Sequence, residues 1–309
     1  MIPTVLFFHQ VVRQPRDEHF SLRSANVLDR FRDLMTTVRS EYHPLGIDEF
    51  VWIHRNGRRW PKRAVLVTFD DGFKNNLWAA EILHDLGMQA TFFVVSGAVG
   101  TRFQPWYVRF GEMITHKQRD AWECSWGAVD YQNEFSRRRW LKRTKEHLLA
   151  LRPGPRDEAL QELAEAVGFP QGGECDPDLE FFSPADLRQI QEWGMTIGGH
   201  SRTHDNLTAC DAGELRSEVL ESADELEQHT RTPVRYFCYP DGRFNAQVVD
   251  LVRQRYDAAF TTQIRYTAPD LWRYPRRSAD GRRDVRPVLS PWFPASRRVI
   301  DLTKRMLRF

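Results

Sequence analysis

The stretch Ala64-Val65-Leu66-Val67-Thr68-Phe69-Asp70-Asp71-Gly72-Phe73 decides the fold. Its apolar, β-branched opening has the pattern of a buried strand. Two adjacent carboxylates, Asp70 and Asp71, follow at once, and Gly72 signals a turn. Beyond the turn, residues 75–86 carry a helical pattern closed by Gly87. Strand, acidic turn and helix make one unit of an α/β fold, in which ligands bind at the carboxyl ends of the strands. Along a strand, neighbouring side chains point to opposite faces. A turn at Gly72 breaks that alternation and lets both carboxylates address one site.

The same unit recurs to either side. An apolar run over 4–8 ends at His9, and Val27, Phe31, Leu34, Met35 and Val38 follow at helical spacing. Another short helix is expected from Ile47 to His54. Further strands are expected over 90–95, over 195–199 ending at His200, over 234–239 ending in the turn Pro240-Asp241-Gly242, and over 258–262. Ser183-Pro184-Ala185-Asp186 reads as an N-cap, a proline at N1 and an acid at N3. Leu215, Val219, Ala223 and Leu226 mark one long helix, and a further helix lies near 246–255. Strands alternating with helices imply a parallel sheet.

Two regions depart from this rhythm. From 97 to 182 no strand is evident. Helical stretches near 136–151 and 156–167 and the aromatic residues Trp106, Tyr107, Trp122, Trp126 and Trp140 suggest a helical insert or lid within a single domain of 309 residues. Its aromatics either stack on sugar faces or build the insert's own core, and the second reading is favoured for any single tryptophan. The end, 296–309, reads as a basic amphipathic helix. From Arg265 onward twelve basic residues face four acids, so this tail carries +8 and the rest of the chain −6. The bland reading of such a tail is a solvated surface; the sharper one is peripheral contact with an anionic membrane or a phosphate-bearing substrate.

Composition narrows the function classes. A net charge of +2 gives no case for nucleic-acid binding, and 41% hydrophobic residues suffice for a large core. Cys124, Cys175, Cys210 and Cys238 form no C-x-x-C pair, which argues against a zinc knuckle and suits reduced thiols. No apolar stretch approaches the roughly 18–20 residues of a spanning helix, and the first residues lack the features of a secretory leader. The expectation is a cytoplasmic protein, placed at the inner face of the membrane if the terminal helix touches lipid.

The second chemical motif is His200-Ser201-Arg202-Thr203-His204. Together with Asp71 it offers one carboxylate oxygen and two imidazoles, which leave a fourth coordination position open, the pattern of a catalytic zinc. Asp70, adjacent and not needed as a ligand, is placed to take a proton from water. Singly these signals are weak, since Asp-Asp-Gly is usually only a turn and a lone H-x-x-x-H is often incidental. Their conjunction, each at the end of an expected strand, raises the odds.

These two motifs resemble those of the polysaccharide deacetylases, the fourth carbohydrate esterase family. Phe237-Cys238-Tyr239-Pro240-Asp241-Gly242 is similar to the family's third motif, and Phe8-His9-Gln10-Val11-Val12 resembles the tyrosine-histidine-x-valine start of the branch with biofilm poly-N-acetylglucosamine deacetylases. The resemblance implies a distorted (β/α)7 barrel, a divalent metal, usually zinc, and removal of an N-acetyl group from an amino sugar. By motif position it makes Asp70 the base, Asp71, His200 and His204 the metal ligands, the Asp241 backbone N–H the oxyanion donor, and His9 the general acid. His9 as a histidine held at a core edge for structure alone is an equal alternative. Cys238 stands where many family members carry an arginine that steadies the catalytic aspartate, with Arg235 and Arg276 as candidates to replace it. The substrate expected is an N-acylated amino-sugar glycan or a nucleotide- or lipid-linked glycan. The alternatives are a deformylase acting on a lipid-linked formamido sugar and a non-catalytic glycan-binding relative.

Overall fold

The computed structural model describes residues 2–16, 18–22, 24–170, 176–263 and 270–290. The expected terminal helix at 296–309 and Cys175 lie outside the described residues. Parallel strands β1 (Thr4–Phe8), β2 (Ala64–Phe69), β3 (Thr91–Val94), β4 (Thr196–Gly199), β5 (Tyr236–Cys238) and β6 (Ala258–Thr261) pair side by side. The two pairs that close the ring come from consecutive chain. β7 (Tyr274–Pro275) pairs with β6, while β8 (Arg277–Ser278) pairs with β1, through Leu6 opposite Arg277. One short strand interrupted at Arg276 thus joins the edges, giving a nearly closed seven-position parallel barrel wrapped by helices. This closing strand carries no apolar run of its own, and periodicity gave no sign of it.

Alternation along β2 sorts its side chains. Val65, Val67 and Phe69 pack outward against the helical layer, whereas Ala64 and Leu66 join the inner core with Val5, Phe93, Phe260 and Tyr274. Helix Ile47–Arg55 supplies Phe50 to that inner core, its ring edge-on to Tyr274 at 4.8 Å. Thr68 and Asp70 continue the inward series, so the period of two aims Asp70 at the barrel axis. The barrel strands all run the same way, and their carboxyl ends therefore share one rim.

Between β3 and β4 the chain forms helices Trp106–Thr115, Glu134–Ala150 and Pro153–Val167 with a separate core that includes Trp122, Trp140, Leu160 and Leu163. The expectation of no strand here needs correction: Ala121–Cys124 and Gly127–Asp130 form an antiparallel hairpin. Trp122, Cys124 and Val129 are buried and their neighbours more exposed, a period-two signal too short to stand out between helices. Ser183 and Asp186 form the anticipated cap as a full capping box. The long helix expected around Leu215–Leu226 contains a π-helical segment, Ser217–Glu221, flanked by α-helical Ala212–Arg216 and Ser222–Thr230.

Candidate metal centre

Asp71 leaves the strand with φ of +74° and Gly72 follows at +83°. A side chain at Gly72 would also press into Val94, its Cβ 2.9 Å from Cγ1. This left-handed turn swings Asp71 onto the rim beside the inward-facing Asp70, as the glycine had suggested. The histidine pair is brought together by a turn and not by a helix. Ser201 and His204 both have φ of +63°, and the loop is braced by Glu218, which accepts from the Arg202 and Thr203 amides at 3.0 Å and the Thr203 hydroxyl at 2.7 Å. Glu218 belongs to the π-helical segment. Strained non-glycine backbone held by several partners is common where geometry serves function.

His200 Nε2 and His204 Nε2 lie 3.5 and 3.6 Å from Asp71 Oδ1. In a tetrahedron with bonds near 2.1 Å, ligand atoms stand about 3.4 Å apart, so the spacing suits three ligands of one zinc-sized ion. Asp71 Oδ1 is buried with no closer partner than these two imidazoles, an expensive condition for a carboxylate unless a cation meets it. The His200 ring is oriented from behind, Nδ1 lying 2.8 Å from the Cys238 carbonyl oxygen, the arrangement that presents the other nitrogen to a metal. Burial and the neighbouring His200 push His204 down to about 4, while, against burial, Cys238 and Asp71 draw His200 upward, so a cation would displace the His200 proton to reach both nitrogens. The residues present therefore fit a divalent cation.

Asp70 is held by Arg276. The guanidinium donates from Nη1 to Oδ1 at 2.7 Å and from Nη2 to Oδ2 at 2.6 Å, and also to the Thr68 hydroxyl and Cys238 Sγ. Burial would raise the Asp70 pKa, but Arg276 and then His200 outweigh it and hold the carboxyl ionised. Arg276 sits at the break in the closing strand, its guanidinium over the Phe7 and Phe93 rings. Arg235 instead pairs at the exposed surface with Asp257 and Asp48. Cys238 leaves room beside Asp70, and the arginine arrives from the closing strand.

His9 lies on the same rim. Its Nδ1 is 2.7 Å from Asp280 Oδ2, and its backbone N–H donates to Asp280 Oδ1 at 2.9 Å. Desolvation opposes the charge on His9, but Asp280 prevails and raises its pKa to about 10. Asp280 was not singled out from sequence; one acid among many in a basic tail carries no signal. Asp241 adopts φ of +51° and lines the same cavity, with Lys145 3.6 Å from its carboxylate. The cavity, about 610 Å³, is lined by His9, Asp70, Asp71, His200, His204, Asp241 and Asp280 and roofed by Phe20, Trp106, Tyr107, Phe110 and Leu141. Trp122 and Trp140 pack in the core of the roofing segment, as the blander reading of those tryptophans held.

The family model for polysaccharide deacetylases matches residues 57–259, about two thirds of the chain. The chain belongs to the polysaccharide deacetylase family. That family is one of hydrolases acting on N-acetyl sugars, and this member has the donor set for a divalent cation in place. No curated protein matches the sequence. Among solved structures the deacetylase PplD of Streptococcus pyogenes, in complex with acetate, superposes with a TM-score of 0.61 at 16% identity, over 93% of this chain and 96% of that one. IcaB of Ammonifex degensii gives 0.57 at 17% identity over 89% and 90%. BA0330 of Bacillus anthracis gives 0.58 at 17% identity, over 92% of this chain, which spans 66% of that one. At these identities the likeness is one of fold, and the barrel of this family member is the one they share.

Proposed function

We propose that the protein is a metal-dependent hydrolase that removes the N-acetyl group from an amino sugar of a glycan or lipid-linked glycan. The observation that carries this reading is an unligated carboxylate, Asp70, kept ionised by Arg276 beside three converging ligand atoms of Asp71, His200 and His204. Zinc is the ion favoured by one carboxylate and two imidazoles with a position left open. A cation held by Asp71, His200 and His204 would supply Lewis acidity to the acyl carbonyl and to the attacking water. Asp70 takes the proton from the attacking water. The Asp241 N–H faces the acyl oxygen as charge collects on it. His9, kept protonated by Asp280, gives its proton to the departing amine, and acetate and the free amino sugar leave. The position of His9 beside Asp70 and Asp71 supports placing the chain in the branch that starts with a histidine motif.

Metal analysis together with acetate release from an N-acetylglucosamine oligomer tests the assignment. His200→Ala is expected to lose bound metal. Asp70→Asn is expected to keep the metal and lose activity by a factor of about 10² to 10⁴. Full activity in Asp70→Asn, or unchanged metal content in His200→Ala, would refute it.

A further inference from the structure

Tyr107 reaches the rim from outside the barrel, on helix Trp106–Thr115 of the segment between β3 and β4. Its ring lies against His204, centroids 4.6 Å apart, and it lines the cavity with Asp70, Asp71, His200 and Asp241. Its hydroxyl is buried and makes no well-aligned hydrogen bond, Asp71 being the side chain it approaches for one. The charges it faces are Asp71 first, then Asp241 and Asp70. Trp122 Nε1 is unpartnered as well, but it lies in the segment's own core and not on the cavity.

The segment is also fixed to the ligand loop. Arg156 forms a buried ion pair with Asp205, next to His204, and Asn206 Nδ2 donates to the Leu149 carbonyl at 2.8 Å. Tyr107 is thus delivered on a docked element, between a metal ligand and the Asp241 turn.

Building on the deacetylase reading, we infer that the Tyr107 hydroxyl is a catalytic hydrogen-bond donor to the acyl oxygen. Water oxygen bonds to the acyl carbon, its proton passes to Asp70, and the carbonyl π pair moves onto the acyl oxygen. Tyr107 and the Asp241 N–H meet that charge. The pair returns as the C–N bond breaks and His9 protonates nitrogen, and Tyr107 keeps its own proton throughout. A donor aimed at the tetrahedral species stabilises it more than the ground state.

Tyr107→Phe keeps the ring against His204 and removes only the hydroxyl, so the fold is expected to hold. The expected result is a fall in kcat of about 10²-fold, the size typical of one oxyanion donor, with KM and zinc content unchanged. Methylphosphonate, a tetrahedral anion, should bind about tenfold more weakly to the variant by calorimetry. Unchanged kcat, a rise in KM alone, or loss of zinc together with activity would overturn the donor role. If the wild type releases no acetate yet its methylphosphonate affinity depends on Tyr107, the deacetylase reading fails and the anion-donor role stands.

Discussion

Replacing Arg276 with methionine should damage stability and chemistry together. The guanidinium is fully buried and makes two short charge-assisted hydrogen bonds to an Asp70 carboxylate that is itself only 3% exposed. Methionine fills similar space but leaves the carboxylate alone inside the barrel. Breaking a buried pair from one side costs about 3–5 kcal/mol, consistent with two hydrogen bonds to a charged group at roughly 1.5–3 kcal/mol each. The sign with pH follows from the same groups. In the wild type the Asp70 pKa is depressed below its ordinary 3.8, so its stabilisation is present above that value and lost as pH falls through the folded pKa. Without Arg276, burial raises the pKa instead, and the stability deficit of the variant should shrink on acidification. Urea unfolding of metal-loaded protein at pH 7.5 and pH 5.5, with deacetylation followed alongside, measures both. Adding Cys238→Arg to Arg276→Ser should restore part of each, because Cys238 Sγ lies 2.7 Å from Arg276 Nη2 and 3.9 Å from Asp70 Oδ2. A deficit below about 1 kcal/mol with activity intact would refute the role of this pair.

Two further outcomes follow from the rim. Asp280→Asn should move the alkaline limb of kcat downward. The His9 pKa is raised from 6.5 to about 10, so the acid is present below about 10 and lost as pH rises through it; without Asp280 the limb falls back toward 6.5, and an unmoved limb counts against His9 as the acid. Glu218→Ala removes the acceptor of three hydrogen bonds from the His200–His204 loop and should weaken zinc binding by about 10–100-fold, measured by chelator competition; unchanged affinity would show that the loop keeps its shape without it.

The main elements were legible because their signals are local. β2 announced itself by an apolar run, the turn by Gly72, and helix Pro184–Glu192 by its capping box. The convergence of Asp71 with His200 and His204 was readable for a related reason. Asp71 and His200 lie just past strand ends and His204 one turn further on, and parallel strands bring such positions to one rim. The hairpin in the roofing segment was missed because four-residue strands barely register as a period. Asp280 was missed because nothing adjacent in sequence distinguishes it.

Sequence alone determined the alternating α/β plan and the two motifs, and the family resemblance marked Cys238 as a place where an arginine had to be replaced. Tertiary structure decided which residue replaces it. Arg276 and Arg235 are equivalent by type, and only the closing strand, pairing with β6 on one side and β1 on the other, turns Arg276 inward. The same holds for Tyr107 and Asp280. Partners so far apart in sequence are chosen by where the barrel closes and where the roof docks, and no local pattern encodes them.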